Sequence, residues 1–234
     1  MTKYFYPLLI LFTVNTSLLA ETTSSLSHKQ IQGKLNNLNG YAAECVMHKF
    51  YTSTGWIQIE GEVGRNGIDG LYFKKKNGII REVLVAESKW NKSRLGKSGK
   101  GKLLKQMSKD WVQHTLQRLQ KYKPIPEYKT ITKLVQNDQY RARLFRMFPR
   151  GKDKVQIHIF KIKNKGSNKF DLIIEEKLDP IVMGNPKNDF QKRVLDAYAR
   201  CKTIGLHKYF PMIVGKNIDR LLCDNYLQVE DMKY

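Results

Sequence analysis

The sequence predicts an α/β fold, in which helices flank a mixed central sheet and a β-hairpin and further helices follow at the C-terminal end. Three observations lead to this prediction. Apolar residues recur at helical spacing along His28–Phe50. Two strand-like runs, Leu71–Lys74 and Arg81–Ser88, flank Asn77-Gly78, which is the strongest short signal of a hairpin. Other strand-like and helical runs then continue towards the C-terminus.

The elements of residues 28–122 form the part that we expect to carry the function. Residues 21–27 are rich in serine and threonine and are predicted to be a flexible start. Trp56–Glu62 alternates like a half-buried strand and precedes the hairpin. Lys102–Tyr122 carries an apolar stripe at helical spacing, and the Lys-Pro-Ile-Pro run that begins at Lys123 ends this helix.

Residues 123–234 are predicted to extend the same domain as sheet and helices. Three strand-like runs would add to the sheet, namely Arg141–Phe148, Val155–Lys163 and Phe170–Leu178. Asn185-Pro186 begins a helix, because it offers a capping residue followed by a first-turn proline. Gly205 is predicted to end that helix, and a short last helix covers Ile218–Leu227.

The charge balance limits the class of partner. Lysine and arginine number 42 against 21 aspartate and glutamate, which gives a formal net charge of +21. Such an excess favours nucleic acid, an anionic membrane surface or an acidic protein as partner, and it says little about the fold. We favour nucleic acid because the charge accompanies the candidate catalytic residues described below.

The first twenty residues are typical of a secretory signal peptide. Met1-Thr2-Lys3 is a short basic start, Tyr4–Val14 is apolar, and cleavage is expected near Ala20. The apolar run is shorter than the roughly 20 residues of a membrane span, so no stable span is expected after cleavage. The sequence therefore predicts a periplasmic or secreted protein. An uncleaved anchor or an N-terminal core helix is the alternative.

The three cysteines are spaced too far apart for a cysteine zinc site, since no C-x-x-C pair is present. In an exported protein, Cys201 could join Cys223 and leave Cys45 buried on its helix. Three free, buried thiols are the alternative, and the sequence favours neither.

The hairpin gathers acidic and basic side chains at one end of the sheet. Glu87 and Lys89 are two residues apart on a strand and project from the same face, while Asp69 begins the paired strand. Two carboxylates beside a lysine are suited to holding a metal ion and hydrolysing a phosphodiester bond. From these residues alone, the alternative is an exposed strand end joined by salt bridges.

Four sequence elements stand in a fixed order along roughly residues 28–120. They are Gly40-Tyr41-Ala42-Ala43-Glu44 on the first helix, Gly55-Trp56, Gly67-Ile68-Asp69 and Glu87-Ser88-Lys89. This order resembles the PD-(D/E)XK nuclease superfamily, which has the restriction-endonuclease-like fold, and in particular its Holliday-junction-resolvase branch and related bacterial nuclease toxins. Ile68 stands where the superfamily pattern has proline, which leaves the metal ligands intact.

The resemblance implies a Mg²⁺-dependent endonuclease that acts on DNA, with Mn²⁺ as a substitute metal. The metal ligands that it implies are Asp69, Glu87 and the backbone carbonyl of Ser88. The catalytic residues that it implies are Glu44, Asp69, Glu87, Lys89 and Gln106. Of these, Lys89 would stabilise the developing oxyanion, and Gln106 would lie on the helix Lys102–Tyr122. A secreted nuclease, toxin or effector of this kind also implies an inhibitor or immunity protein as partner.

The segment after Lys89 is rich in glycine, serine and basic residues, and it is predicted to be a loop that contacts phosphates without reading bases. Its basic residues are Lys92, Arg94, Lys97, Lys100 and Lys102. A near match to a phosphate-binding Walker loop fails at Leu103, where serine or threonine is required, so the sequence does not predict an ATPase.

Two other functions stay open at this level. One is a non-catalytic, basic nucleic-acid-binding protein of the cell envelope on a degenerate nuclease fold. The other is a secreted protein that binds anionic surfaces. Other hydrolase chemistries fit less well, because the five histidines are scattered and no G-x-S-x-G element is present.

Overall fold

The structure of the protein is a computed structural model that describes residues 27–62, 67–98, 104–151, 154–165 and 169–209. Several sequence predictions fall outside these residues. They are the signal peptide ending near Ala20, nearly all of the flexible start, the helix Ile218–Leu227, and the contributions of Lys100, Lys102 and Cys223. Among the described helices, none has the length and apolar character needed to span a membrane.

The described residues form a mixed β-sheet together with helices, which confirms the predicted α/β class. Its strands are β1 (Ile57–Ile59), β2 (Gly70–Lys76), β3 (Ile79–Trp90), β6 (Arg141–Pro149), β7 (Lys154–Asn164), β8 (Phe170–Lys177) and β9 (Ile181–Val182). The order across the sheet is β1-β2-β3-β6-β7-β8, and β9 pairs with the start of β7. β1, β2 and β3 are antiparallel, whereas β6 runs parallel to β3. β4 (Lys97–Ser98) and β5 (Leu104–Lys105) form a separate two-stranded sheet.

Four helices are present among the described residues: α1 (His28–Ser53), α2 (Lys109–Tyr122), α3 (Pro126–Gln136) and α4 (Asp189–Tyr209). α2 and α3 bury apolar stripes against β2, β3 and β6, in a cluster that includes Leu71, Val85, Leu116, Ile131 and Leu144. Burial of this apolar area is the main force that holds the helices on the sheet. The C-terminal half of α1 contributes Tyr51, whose ring lies 5.3 Å from that of Tyr72 on β2.

The hairpin of β2 and β3 forms as the sequence predicts. Asn77 and Gly78 occupy the two turn positions with φ of 53° and 75°, and Lys76 pairs with Ile79. Positive φ at both positions matches the twist of the flanking strands, and asparagine and glycine tolerate it best. The pairing runs from this turn to Gly70 and Ala86, and the register changes once, between Lys74 and Lys75.

The predicted helix Lys102–Tyr122 begins later than expected, at Lys109. Ser108 is its N-cap and accepts a hydrogen bond from the backbone N–H of Trp111, while Met107 has φ of 69°. The apolar stripe in the sequence extends beyond the helix, because Met107 is buried although it lies in the preceding turn. Trp56–Glu62 also contains a shorter strand than predicted, since Gly61 leaves the sheet and accepts a hydrogen bond from Ile68 N–H.

The C-terminal helix differs at both ends from the prediction. It begins at Asp189, where Asn188 Oδ1 accepts a hydrogen bond from Gln191 N–H, and it passes through Gly205 to Tyr209. A Cβ on Gly205 would approach Leu38 Cδ1 to 2.5 Å, so this glycine serves close helix packing. α3 was not predicted, because the proline-rich segment before it suggests only a break; Pro126 instead occupies the first turn of α3.

The chain divides into two compact units. One contains residues 43–148 and 156–179, which hold the strands β1 to β3 and most of β6 to β8. The other contains the remaining described residues, including the N-terminal part of α1 and all of α4. Cys45 and Cys201 are both disulfide-bonded, so the expectations of a free Cys45 and of three free thiols are wrong. Spacing along a sequence does not show which distant cysteines a fold brings together.

Candidate active site

Asp69 and Glu87 lie side by side at one end of the hairpin. Gly70 pairs with Ala86. Asp69 directly precedes Gly70 and Glu87 directly follows Ala86, so both acids lie just past this pair at the same end of the hairpin. The backbone N–H of Ser88 donates to Asp69 Oδ2 at 3.0 Å, which ties this carboxylate to β3. The structure therefore brings together the two acids that the sequence analysis singled out.

Glu87 is completely buried, and its two carboxylate oxygens differ in their surroundings. Oε1 accepts a hydrogen bond from Lys89 Nζ at 2.6 Å and another from Gln106 Nε2. Oε2 accepts no hydrogen bond from a donor group among the described residues, and the Glu87 carboxyl is within hydrogen-bond contact of the Asp69 carboxyl, so the two can share a proton. A buried carboxylate oxygen without a partner is costly, by about 1–3 kcal/mol or more. Lys89, with 18% of its side chain exposed, faces the pair from the more accessible side.

Burial is the main cause of an unusual proton affinity at this pair. It raises the pKa of Glu87 well above its ordinary value, and the negative charge of Asp69 raises it further, whereas Lys89 lowers it. Burial also raises the pKa of Asp69, against the lowering effect of Lys89. Two carboxylates that share one desolvated place cannot both ionise easily. A cation placed between them would remove that penalty.

Gln106 reaches Glu87 from a loop, and not from a helix as predicted. It follows β5, and its side-chain Oε1 accepts a hydrogen bond from Gly96 N–H at 3.2 Å. Its own backbone N–H donates to Gly96 O at 2.9 Å. These two bonds fix Gln106 against the chain segment that leaves β3, so its amide donates to Glu87. Gln106 therefore contacts Glu87, whereas its predicted position on a helix was wrong.

Among the described residues, Glu44 does not form a metal-holding group with the carboxylate pair, although its charge contributes to raising the pKa of Asp69. Its Oε1 lies 3.4 Å from His48 Nε2, one turn further along α1, and His48 Nδ1 lies 2.6 Å from Tyr72 Oη. Burial raises the pKa of Tyr72, so its phenol keeps its proton and can donate it to His48. A hydrogen-bonded chain thus connects β2 to Glu44.

His48 and Tyr72 were missed by the sequence analysis. The spacing of Glu44 and His48, four residues apart on a helix, was a signal that could have identified the first. Nothing in the sequence marks Tyr72, because its side chain reaches His48 only through the packing of α1 on the sheet.

The predicted nucleic-acid contacts lie on the segment that leaves this site. Lys92, Arg94 and Lys97 are exposed, and they follow β3 directly. Lys100 and Lys102 belong to residues that the structure does not describe. The three described cations thus follow Lys89 closely in the sequence and are open to solvent.

The donors at this site fit a hard divalent cation. Mg²⁺ takes oxygen ligands and commonly needs only one or two carboxylates from the protein. Asp69 and Glu87 provide two, and no donor group of the described segments binds the buried Glu87 Oε2. In the part of the chain that the structure describes, no group of three or more His, Cys, Asp or Glu side chains could hold a metal ion. The fit therefore rests on the carboxylate pair, with Glu44 outside it.

Comparison with known proteins adds no relative. No family model matches the chain, and neither the curated proteins nor the solved structures contain a match.

The raised pKa of the carboxylate pair predicts how stability depends on pH without metal. The folded protein keeps a proton on this pair at pH values where the unfolded chain has lost it, so the pair favours folding less as pH rises from about 4.3 towards neutral. Glu87→Gln removes the contribution of Glu87 to this titration and leaves that of Asp69. The free energy of unfolding of Glu87→Gln, measured by urea denaturation in EDTA, should therefore increase relative to that of wild type as pH rises.

Glu62→Gln is the matched control, because Glu62 is exposed. It should keep the pH dependence of wild type. If the difference in free energy of unfolding between Glu87→Gln and wild type stayed constant across this pH range, the raised pKa assigned to Glu87 would be wrong.

Proposed function

We propose that the protein is an exported, metal-dependent nuclease that hydrolyses phosphodiester bonds in DNA, on a sheet of the restriction-endonuclease-like type. The observation that carries the proposal is Glu87, which is fully buried beside Asp69. One of its oxygens is bound by Lys89 and Gln106, and the other is bound by no donor group in the part of the chain that the structure describes. A protein with only a structural use for this position would be more stable with an apolar side chain there.

The architecture around the site supports the same proposal. A helix that carries Glu44 precedes three antiparallel strands, and β6 then runs parallel to β3. The two acids lie at one end of the β2–β3 hairpin of this mixed sheet. The proposal of the finer fold type rests on this order and on the positions of the acids.

The chain's own residues have distinct roles in the proposed reaction. Asp69, Glu87 and the Ser88 carbonyl would hold Mg²⁺, with Mn²⁺ as a substitute. The metal would neutralise charge on the phosphoryl group and lower the pKa of water. Lys89 would stabilise the negative charge that grows on the phosphoryl oxygens, because its ammonium group already lies against Glu87.

Gln106 and Glu44 would act indirectly. Gln106 fixes Glu87 Oε1 and leaves Oε2 for the metal. Glu44, held by His48, adds negative charge near Asp69, which favours a bound cation. Neither residue needs to contact the nucleic acid for these roles.

Charge and disulfide bonding support the substrate class and the location. The net charge of +21 would give strong, salt-dependent attraction to a polyanion with little sequence preference. Disulfide-bonded Cys45 and Cys201 fit an oxidising compartment, which agrees with the signal peptide predicted from the sequence. An inhibitor or immunity protein as a partner stays a prediction.

A cleavage assay tests the proposal directly. Purified wild type should nick supercoiled plasmid in Mg²⁺ or Mn²⁺ and should be inactive in EDTA. Glu87→Gln should abolish cleavage, because it removes the charge that holds the metal, while the protein stays folded. Glu62→Gln is the control and should cleave like wild type. Equal cleavage by Glu87→Gln and wild type would reject the site, and an inactive wild type would favour the non-catalytic alternative.

Lys89→Ala should separate catalysis from binding. A group that stabilises only transition-state charge contributes to rate, and its loss typically costs on the order of 10²–10³ in rate. Lys89→Ala should therefore cleave far more slowly in single-turnover assays, yet bind DNA nearly as well as wild type when Ca²⁺ replaces Mg²⁺. Lys92→Ala should show the opposite pattern, with weaker binding and a smaller salt dependence. If Lys89→Ala lost binding and cleavage in proportion, Lys89 would be only another phosphate contact.

A further inference from the structure

Arg146 lies beside the candidate active site on the neighbouring strand. It is the Cα partner of Lys89 in the parallel pairing of β3 and β6. The two side chains therefore project from the same face of the sheet, on neighbouring strands that are about 4.8 Å apart. Its Nη2 donates to the carbonyl of Ser93 at 3.0 Å. Ser93 belongs to the basic segment between Lys92 and Arg94. Arg146 thus joins the proposed catalytic residues to the proposed phosphate-binding segment.

Arg146 differs from the other arginines of β6 in its charge environment. Arg141 forms an ion pair with Glu82, and Arg143 forms one with Glu175. Among the described residues, no carboxylate pairs with Arg146, and its Nε is buried without a hydrogen-bond partner. Burial also lowers the pKa of Arg146, which shows that its charge is partly desolvated. Arginine remains charged in proteins, so an anion bound there would offset this cost.

Two aromatic rings lie near the same guanidinium group. Its central carbon lies 6.0 Å from the ring centre of Phe148 and 5.7 Å from that of Phe160. The ring of His158 lies 4.7 Å from that of Phe148. These side chains are half-buried and come from β6 and the adjacent strand β7. Guanidinium planes and aromatic rings are the surfaces on which proteins stack unpaired bases.

We propose that Arg146, Phe148 and Phe160 form a subsite for an unpaired nucleotide next to the phosphodiester that is cleaved. Arg146, which is half-buried, would bind the phosphate of this nucleotide through its guanidinium group, and the base would stack on the guanidinium–aromatic layer. This inference rests on the proposed function for the class of ligand. The subsite would give the protein a preference for single-stranded or locally unpaired nucleic acid, because bases within a duplex are already stacked.

Equilibrium binding tests the subsite without requiring cleavage. The probes are a fluorescently labelled single-stranded DNA oligonucleotide and the duplex of the same sequence, titrated with protein in EDTA at several salt concentrations. Arg146→Gln should weaken single-strand binding about tenfold and should reduce the salt slope by about 0.7, whereas duplex binding should change much less. Arg141→Gln, which removes an ion-paired arginine from the same strand, is the matched control and should change neither markedly.

Phe160→Leu is the second variant, because it keeps apolar volume and removes the ring. It should weaken single-strand binding while leaving the salt slope unchanged, and thermal unfolding checks that both variants are folded. Equal losses for single strand and duplex in Arg146→Gln, or single-strand binding unchanged in Phe160→Leu, would overturn the subsite. If wild type failed to cleave and yet these binding differences appeared, the proposed nuclease activity would fail and the subsite would stand.

Discussion

The register of the β2–β3 hairpin is the constraint on which the rest of the site depends. Side chains alternate between the two faces of a strand, so a slip of one residue would turn Glu87 away from Asp69. Two features fix the register: the Asn77-Gly78 turn, and the single shift between Lys74 and Lys75. With the register fixed, Gly70 meets Ala86, and the backbone of Ser88 can hold Asp69 in place.

A buried carboxylate then determines how the surrounding residues are arranged. One oxygen of Glu87 is stabilised by the charge of Lys89 and the amide of Gln106, and the Glu87 carboxyl interacts with that of Asp69. The same sheet places Arg146 next to Lys89, so two cations stand in line along adjacent strands. The exposed cations Lys92, Arg94 and Lys97 follow β3 in the chain. Catalysis, phosphate binding and base stacking would therefore use one continuous surface of the sheet.

Local sequence signals predicted those parts of the molecule that are determined locally. The hairpin followed from Asn77-Gly78, and the pairing of acid and lysine followed from the two-residue period of a strand. The start of α2 could not be predicted from its apolar stripe, because Met107 is buried by a turn with positive φ. Gln106 was named through the resemblance, yet only the contact of its loop with Gly96 shows how it reaches Glu87.

Features that depend on packing between distant segments could not be predicted. The hydrogen-bonded chain from Tyr72 through His48 to Glu44 requires α1 to lie on the sheet, and no sequence spacing encodes this. Gly205 resembles a helix end in sequence, but its lack of a side chain serves contact with Leu38. The involvement of Cys45 in a disulfide bond is of the same kind.

Divalent-cation binding measures the central claim most directly. Isothermal titration of wild type with Mn²⁺, in buffers of different ionisation enthalpy, should show one saturable site and proton release on binding, because the metal displaces the proton that the buried pair holds. Asp69→Asn should lose this site, and Glu62→Gln should keep it. Absence of saturable binding in wild type, or equal binding by Asp69→Asn, would contradict a metal site at Asp69 and Glu87.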